Sequence, residues 1–385
     1  MKIRRMDITR CIVPAVVMAM LPFASAQAAD DIQVWQGTLG QQAIVMKRDD
    51  GRCGGRYFYR RHRIDITLMG DDKAARCTMQ EMPPRWSDDT PKPEWRMQSP
   101  QGERWQGEWV GVDGKRLPIA LTRVRALPAA KEASLTALRG DFDPYAYLRL
   151  SALALKPAKR ETVNGYALQW RSQPDSGIEM FDVAAGYTPE ARARINQLLH
   201  RRLWEWVNAA FECRSGNGAE GSDFDTRTTL RHIDARVLSA SLFTSYYCGG
   251  AHPDFGDAPL NIDARTGREL DLEDVLWVGK GKPLHDGPGD EWNAAWADYR
   301  GEVFAPWVVK QLARRYTAEM AAPRDEGSCD YRDPEFWKFP AWYVTPKGIH
   351  LAASFARVAR ACDDPDWAVL PWPVVDAHRG AVRLH

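Results

Sequence analysis

The sequence predicts a two-part fold: an N-terminal all-β meander that forms a small barrel or sandwich, followed by an α+β domain with helices packed on an antiparallel sheet. The chain has 385 residues, which exceeds the ~250 to 300 residues at which single hydrophobic cores stop growing. Short β runs fill residues 32–124, and two helical periods follow later in the chain. The predicted division is a signal peptide at 1–28, an all-β domain at 29–126, a linker at 127–139 and an α+β domain at 140–385.

The first 28 residues have the pattern of a secretory signal peptide. Lys2, Arg4 and Arg5 precede an apolar run at 11–24, and small residues at 26–28 suit signal peptidase. The apolar run is shorter than the ~20 residues of a membrane-spanning helix, and no later segment approaches that length. We therefore expect an exported, periplasmic protein without a membrane span after cleavage.

The all-β domain is predicted from seven or so short strands. Their turns carry glycine or acid-glycine steps such as Asp50-Gly51 and Asp113-Gly114. Strands at this spacing are typical of an antiparallel meander that curls into a barrel or a sandwich.

Two helices and several strands are predicted in the second part. Thr188 can cap a helix that has Pro189 at its first position. A second helical period covers 292–320, with a kink expected at Pro306. Alternation over 236–248 predicts one long strand, and a hairpin is expected around Thr345 to Gly348. The run at 368–375 predicts a last strand, which we expect at the edge of a sheet.

Six cysteines remain once Cys11 is lost with the signal peptide. An even number in an exported chain favours disulfides over metal ligation. Several connectivities are possible, but sequential pairs each stay inside one predicted unit. The favoured pairs are Cys53 with Cys77, Cys213 with Cys248, and Cys329 with Cys362.

The most distinctive segment is Tyr246-Tyr247-Cys248-Gly249-Gly250-Ala251-His252-Pro253, followed shortly afterwards by 262–274. Gly249 and Gly250 permit a positive-φ turn, and His252 can form a hydrogen bond across it. These residues can serve the fold alone. Alternatively, Tyr246, Tyr247 and His252 form a rim beside Gly249 and Gly250 that contacts a protein or a glycan.

This segment resembles the extracytoplasmic domain of the lysozyme-sensing anti-sigma-V factor family, which also occurs beside some peptidoglycan deacetylases. The matching positions are Tyr247, Gly249, Gly250, Ala251, His252, Asn261, Asp263, Thr266, Gly267, Leu270, Leu272 and Asp274. The resemblance covers residues 140–385 and leaves the β domain unexplained. It implies a lysozyme-like or peptidoglycan ligand. Because only ten residues precede the apolar run, we expect no sigma-binding domain.

Catalytic and metal-binding motifs are not found in the sequence. The eight histidines form no HxxxH, HxxH or HExxH pair, and there is no GxSxG elbow, P-loop or Rossmann pattern. We expect no cofactor and no metal. The net charge of +1 gives no indication of nucleic acid as a partner.

The sequence favours a non-catalytic binding protein of the cell envelope that recognises a lysozyme-like muramidase or a peptidoglycan fragment. The first alternative is a glycan-modifying enzyme that uses His252 with Asp254 or Asp263 as general acid and base. The second is an immunity or inhibitor protein that acts against a wall-degrading toxin.

Overall fold

The computed structural model describes residues 33–71, 77–82, 91–217, 223–287, 293–323 and 328–385. The predicted signal peptide at 1–28 lies outside these ranges, as does Trp292, the first residue of the second predicted helical region. Within the described ranges, no helix is long and apolar enough to cross a membrane.

The N-terminal part is a closed barrel of eight antiparallel strands, in which each strand pairs with the next and the last pairs with the first. The strands are β1 Gln33–Leu39, β2 Gln42–Arg48, β3 Gly54–Tyr59, β4 Asp65–Gly70, β5 Thr78–Met82, β6 Glu94–Met97, β7 Arg104–Val110 and β8 Arg116–Arg123. The sequence did not predict β5, because its residues Thr-Met-Gln-Glu-Met are mostly weak strand formers. Because β8 pairs with β1 and closes the sheet, this part of the chain is a barrel and not a sandwich.

Aromatic side chains fill the barrel interior around one carboxylate. Glu81 of β5 accepts hydrogen bonds from the Tyr57 hydroxyl (2.6 Å), Trp95 Nε1 (3.0 Å) and Trp109 Nε1 (2.8 Å). Trp105 is buried beside Trp35, with ring centroids 5.4 Å apart. These tryptophans belong to the core, and burial raises the pKa of Tyr57, with the Glu81 charge acting in the same direction.

Two short helices connect the barrel to the rest of the chain: α1 Ala133–Ala137 and α2 Pro144–Leu150. The predicted linker includes α1, and its Leu135 and Leu138 are buried in the core of the second part. Asp143 caps α2 by accepting from the backbone N–H groups of Tyr145 and Ala146.

Helix α2 joins the barrel through a buried ion pair. Arg149 donates to both carboxylate oxygens of Asp65, at 2.6 and 2.7 Å, and Tyr145 donates to the same carboxylate at 2.8 Å. The Arg149 side chain is fully buried. Phe58 of the barrel packs against Tyr145, with ring centroids 4.9 Å apart.

A long helix packs on two antiparallel sheets. The first sheet contains β9 Lys156–Val163, β10 Tyr166–Gln173 and β11 Ile178–Ala185. The helix, α3, spans Pro189–Asn217, and the Thr188 hydroxyl accepts from the Ala191 N–H as the sequence predicts. The second sheet contains β12 Asp223–Ile233, β13 Val237–Tyr247, β14 Asp254–Asp257, β15 Leu260–Asp263 and β16 Arg268–Glu269.

Strand β13 has the buried face that its alternation predicts. Leu238, Ala240 and Leu242 join the core under α3. On its side away from β12, β13 pairs with β15 along its first half and with β14 along its second half. The loop containing Gly249 and Gly250 therefore leads from the end of β13 into β14.

The C-terminal region adds a three-stranded sheet and several helices around a second core. Its elements are α4 Leu272–Val275, α5 Ala294–Tyr299, a π-helical turn at Arg300–Phe304, α6 Ala305–Ala313, 3₁₀ helices at Pro334–Trp337 and Arg357–Cys362, β17 Ala341–Thr345, β18 Gly348–Ala352, β19 Val369–Pro371 and α7 Trp372–Ala377. The predicted hairpin around Thr345 to Gly348 is confirmed.

Two details of this region differ from the prediction. The irregularity expected at Pro306 is the π-helical turn directly before it, where proline cannot donate the hydrogen bond of a regular helix. The predicted last strand at 368–375 is wrong beyond Pro371, because Trp372–Ala377 forms α7 with Pro373 in its first turn. Proline has the backbone angle that a helix start requires.

Three disulfides are present: Cys53 with Cys77, Cys213 with Cys248, and Cys329 with Cys362. These are the three pairs that the sequence favours. Disulfides are typical of proteins outside the reducing cytoplasm.

Candidate functional site

The distinctive loop after β13 is a glycine turn closed by a tyrosine. Gly249 and Gly250 have φ angles of 96° and 99°, in the region that glycine adopts without a steric penalty. The Tyr247 hydroxyl donates to the Gly250 carbonyl at 3.0 Å.

His252 lies exposed on this loop. Its side chain makes no hydrogen bond or ion pair with the described part of the chain, so the predicted bond across the turn is not formed. Both acids that the sequence offered as its partner are engaged elsewhere. Asp254 pairs with Arg360 at 2.7 Å, and Asp263 pairs with Arg265 at 3.3 Å.

Tyr246 and Tyr247 lie on opposite faces of the sheet, because successive side chains of a strand alternate. Tyr246 faces α3, whereas Tyr247 is on the other face. The sequence placed both in one rim with His252. In the structure, only Tyr246 reaches the hollow beside α3 described next.

We name this hollow the α3 cleft. Its volume is about 550 Å³, within the range of roughly 300 to 1,000 Å³ typical of ligand sites. Trp206 of α3 forms one wall and donates from Nε1 to the Thr244 hydroxyl at 2.8 Å. The lining residues are Trp206, Ala209, Glu212, Cys213, Phe224, Thr244, Tyr246, Cys248, Phe255, Gly256, Asp257 and Ala258.

The Cys213–Cys248 disulfide lies at the end of the α3 cleft. It joins the last turns of α3 to the residue that follows β13. Ala209 lies one helical turn before Cys213, and Tyr246 lies two residues before Cys248. The disulfide thus holds the two walls of the cleft together.

Strand β14 separates the α3 cleft from a second hollow. Phe255, Gly256 and Asp257 line both. Arg360 holds β14 in place by donating to Asp254 (2.7 Å), to Asp363 (2.8 Å) and to the Phe255 carbonyl. Its guanidinium also lies 4.6 Å from the centre of the Phe255 ring.

We name the second hollow the polar pocket. Its volume is about 240 Å³, and it is lined by Phe243, Phe255, Gly256, Asp257, Phe339, Ala341, Ala352, Ala353, Ser354, Arg360, Asp363 and Asp364. Asp257 accepts from the Ser241 hydroxyl at 2.5 Å and lies 4.0 Å from Arg231. Asp364 lies 3.7 Å from His350 Nδ1.

Burial perturbs the ionisable groups beside the polar pocket. It lowers the pKa of His350, with the Asp364 charge opposing that shift, and His350 Nε2 lies 3.1 Å from the Pro365 carbonyl. Burial raises the pKa of Asp364, with His350 opposing. It also raises the pKa of Tyr343, which stacks on His350 with ring centroids 4.4 Å apart, to about 12.

One group of side chains has metal-ligand geometry. Asp271, Asp274 and His285 each offer one ligand atom, and these atoms lie within 4.8 Å of one another. Other bonds occupy them: Arg268 pairs with Asp274 at 2.9 Å, and Asp274 also accepts from the Asp271 N–H in the capping box of α4. The proximity of these acids is therefore explained by the capping box at the start of α4 and does not require a metal ion.

The sequence analysis missed most residues of both hollows. The Cys213–Cys248 pairing carried a usable signal, since it places Trp206 and Ala209 of α3 beside Tyr246. No such signal exists for the polar pocket, whose acids Asp257 and Asp364 come from segments more than 100 residues apart in the chain.

No family model matches this chain, and no curated protein matches it. Two solved structures described as DUF3298 family proteins are similar. The one from Bacteroides fragilis has 12% identity and a TM-score of 0.33, over 60% of this chain and 94% of that one. The one from Pseudomonas aeruginosa has 17% identity and a TM-score of 0.31, over 59% and 94%. Values this low support no statement about ligand or mechanism.

Proposed function

We propose that this protein is an exported binding protein of the cell envelope, whose α3 cleft receives part of a lysozyme-like muramidase or of a peptidoglycan fragment. The observation that carries the proposal is the α3 cleft itself. It adjoins the glycine loop on which the family resemblance rests, and Tyr246 and Cys248 of that segment line it.

The chemistry of the lining supports this class of ligand. Trp206, Phe224 and Tyr246 present aromatic surface, which stacks on sugar rings or anchors an apolar side chain of a protein. Glu212 and Asp257 add acidic groups to the lining of the cleft. Such groups favour a basic partner.

A cleft-filling variant tests the proposal without truncating the core. Ala209→Phe places a ring in the α3 cleft, and Ala193→Phe places the same ring on an exposed position of the same helix. We expect calorimetric titration of the exported protein to detect binding to a lysozyme or to a soluble muropeptide. Ala209→Phe should weaken it by at least about tenfold, or 1.4 kcal/mol, and Ala193→Phe should leave it unchanged.

Three outcomes would contradict the proposal. The first is the absence of binding across a panel of lysozymes and muropeptides. The second is binding that Ala209→Phe and Ala193→Phe affect equally. The third is cleavage of the glycan during the titration, seen in product analysis of the same mixtures, which would identify an enzyme.

A further inference from the structure

We propose that the polar pocket is a second binding site, which takes the cationic end of an alkylammonium or alkylguanidinium ligand. This inference goes beyond the proposed function and does not depend on what the α3 cleft binds. It rests on unpartnered carboxylate oxygens, on the local charge balance, and on the aromatic walls and size of the pocket.

Two carboxylates at the pocket keep an oxygen without a hydrogen-bond partner in the described part of the chain. Asp257 has a side chain only 6% exposed, and its Oδ1 is unpartnered. Asp364 is 37% exposed as a side chain, but its Oδ1 is buried and unpartnered, since His350 Nδ1 at 3.7 Å is beyond hydrogen-bond length. Buried polar atoms are nearly always bonded in native proteins. Because both acids line the pocket, these two oxygens are the acceptors that a donor of the ligand would use.

The charges around the pocket favour a cationic donor. Arg360 is engaged by Asp254 and Asp363. Arg231 lies 4.0 Å from Asp257, and its guanidinium lies 4.4 Å from the centre of the Tyr343 ring. Neither arginine forms an ion pair with Asp364, on which Arg231 acts only at longer range. An ammonium brings three donors and a guanidinium five, with the charge that the pocket lacks.

The walls and the size of the pocket suit the alkyl part of such a ligand. Phe243, Phe255 and Phe339 line it, and aromatic rings attract cations and pack against methylene stems. The volume of about 240 Å³ is below the roughly 300 Å³ at which sites for larger organic ligands begin. A single long aliphatic cation matches this size better than a disaccharide does.

The spacing of the acids argues for an organic cation over a bare metal ion. Among the described residues, no three His, Cys, Asp or Glu side chains at this pocket have ligand atoms within 4.8 Å of one another. A metal ion needs such convergence, whereas an ammonium or guanidinium can bridge acids that lie farther apart.

The test is saturation-transfer NMR with n-butylammonium and n-butylguanidinium as probes, and n-pentanol as the neutral probe of similar size. We expect both cations to bind the exported protein at millimolar concentration and n-pentanol to bind at least about tenfold more weakly, as for a lost hydrogen bond to a charged group.

Asp364→Asn is the informative variant. Asp364 has a φ of 50°, which asparagine adopts as readily as aspartate, so the backbone should be preserved. We expect a loss of cation affinity of about tenfold. Asp366→Asn changes an exposed neighbouring acid that does not line the pocket, so its effect should be much smaller.

The proposal is overturned if n-pentanol binds as well as the cations, or if Asp364→Asn and Asp366→Asn weaken cation binding equally. The first outcome would assign the pocket to apolar ligands. The second would show that only the general negative charge of the region attracts the probes. Neither bears on the α3 cleft, whose test uses different ligands and variants.

Discussion

Asp364 shows how one residue can combine backbone strain with electrostatic strain. It is one of only three non-glycine residues with positive φ among the described residues. Its carboxylate lies against His350 Nδ1, which has no hydrogen bond. Unfavourable backbone angles and unfavourable charge contacts persist where the surrounding structure enforces them. They occur often at functional sites.

Removing the Asp364 charge should lower the pKa of His350 further. Burial already lowers that pKa, and Asp364 is the main group that opposes the shift. We expect NMR titration of the imidazole to give a lower midpoint in Asp364→Asn. Asp366 opposes the shift more weakly, so Asp366→Asn should produce a smaller change in the same direction. An unchanged or raised midpoint in Asp364→Asn would contradict the assignment.

The lowered pKa of His350 also makes the stability of the folded protein depend on pH in a defined direction. Because the folded protein resists protonation of this imidazole, its stabilising contribution is present above the unfolded-state pKa of 6.5 and is lost as the pH falls through the lower folded-state pKa. The pKa shift of Asp364 gives the opposite pH dependence of stability. Its pKa is raised, so its contribution is present below 3.8 and is lost as the pH rises through the folded-state pKa.

At the scale of elements, β14 depends on Arg360. This strand of four residues pairs with one neighbour, β13. Arg360 connects it to the 3₁₀ helix at Arg357–Cys362, which the Cys329–Cys362 disulfide joins to an earlier part of the chain.

Arg360→Lys should loosen β14 and the glycine loop before it. Lysine keeps the charge but loses the forked donors that reach two carboxylates and a carbonyl. We expect faster hydrogen exchange over residues 249–257, measured by mass spectrometry, and a loss of about 1 to 2 kcal/mol in the free energy of unfolding. Arg332→Lys alters a comparable but more exposed pair with Asp330 and should leave that exchange unchanged. Equal exchange in both variants would show that Arg360 does not hold the loop.

The sequence predicted elements whose pattern is regular and missed those set by context. The alternation of 236–248 and the Thr188-Pro189 cap identified β13 and α3. Strand β5 was missed because Met, Gln and Glu carry little strand preference; the tryptophans and tyrosine that bond to Glu81 hold it in place. Helix α7 was misread because Val374 and Val375 favour strands, whereas Pro373 starts a helix.

The sites were harder to predict than the fold. The predicted Cys213–Cys248 pair could have located the α3 cleft, because it brings the end of α3 to the end of β13, but the sequence analysis did not draw that conclusion. The polar pocket depends on Ser241, Asp257 and Asp364, which no spacing rule connects, since tertiary packing alone brings them together.

For the whole molecule, the joint between barrel and α2 is a buried ion pair. Removing one partner of such a pair costs about 3 to 5 kcal/mol, because a buried charge is left alone. Asp65→Asn and Arg149→Met each remove one partner of this pair; Arg149 keeps the longer contact with Glu212 at 3.5 Å, and Asp65 keeps that with Arg56 at 3.8 Å. We expect each to lower the free energy of unfolding by about that amount in urea denaturation followed by circular dichroism and tryptophan fluorescence.

The double variant distinguishes a lone charge from lost packing. Asp65→Asn with Arg149→Met leaves neither charge of the pair, so it should be less destabilised than the sum of the single variants. Arg116→Gln, which breaks an exposed pair with Glu108, should change stability by less than about 1 kcal/mol. Strict additivity would mean that the pair contributes nothing specific to the joint.

The position of β14 gives the two hollows a common wall. Because Phe255, Gly256 and Asp257 line both, an occupant that shifts the strand on one side reshapes the other side. Such heterotropic coupling is reciprocal, so each occupant changes the affinity of the other by the same factor. A cation in the polar pocket that moves β14 should therefore change the affinity of the α3 cleft, and an occupant of the cleft should change the affinity for the cation equally.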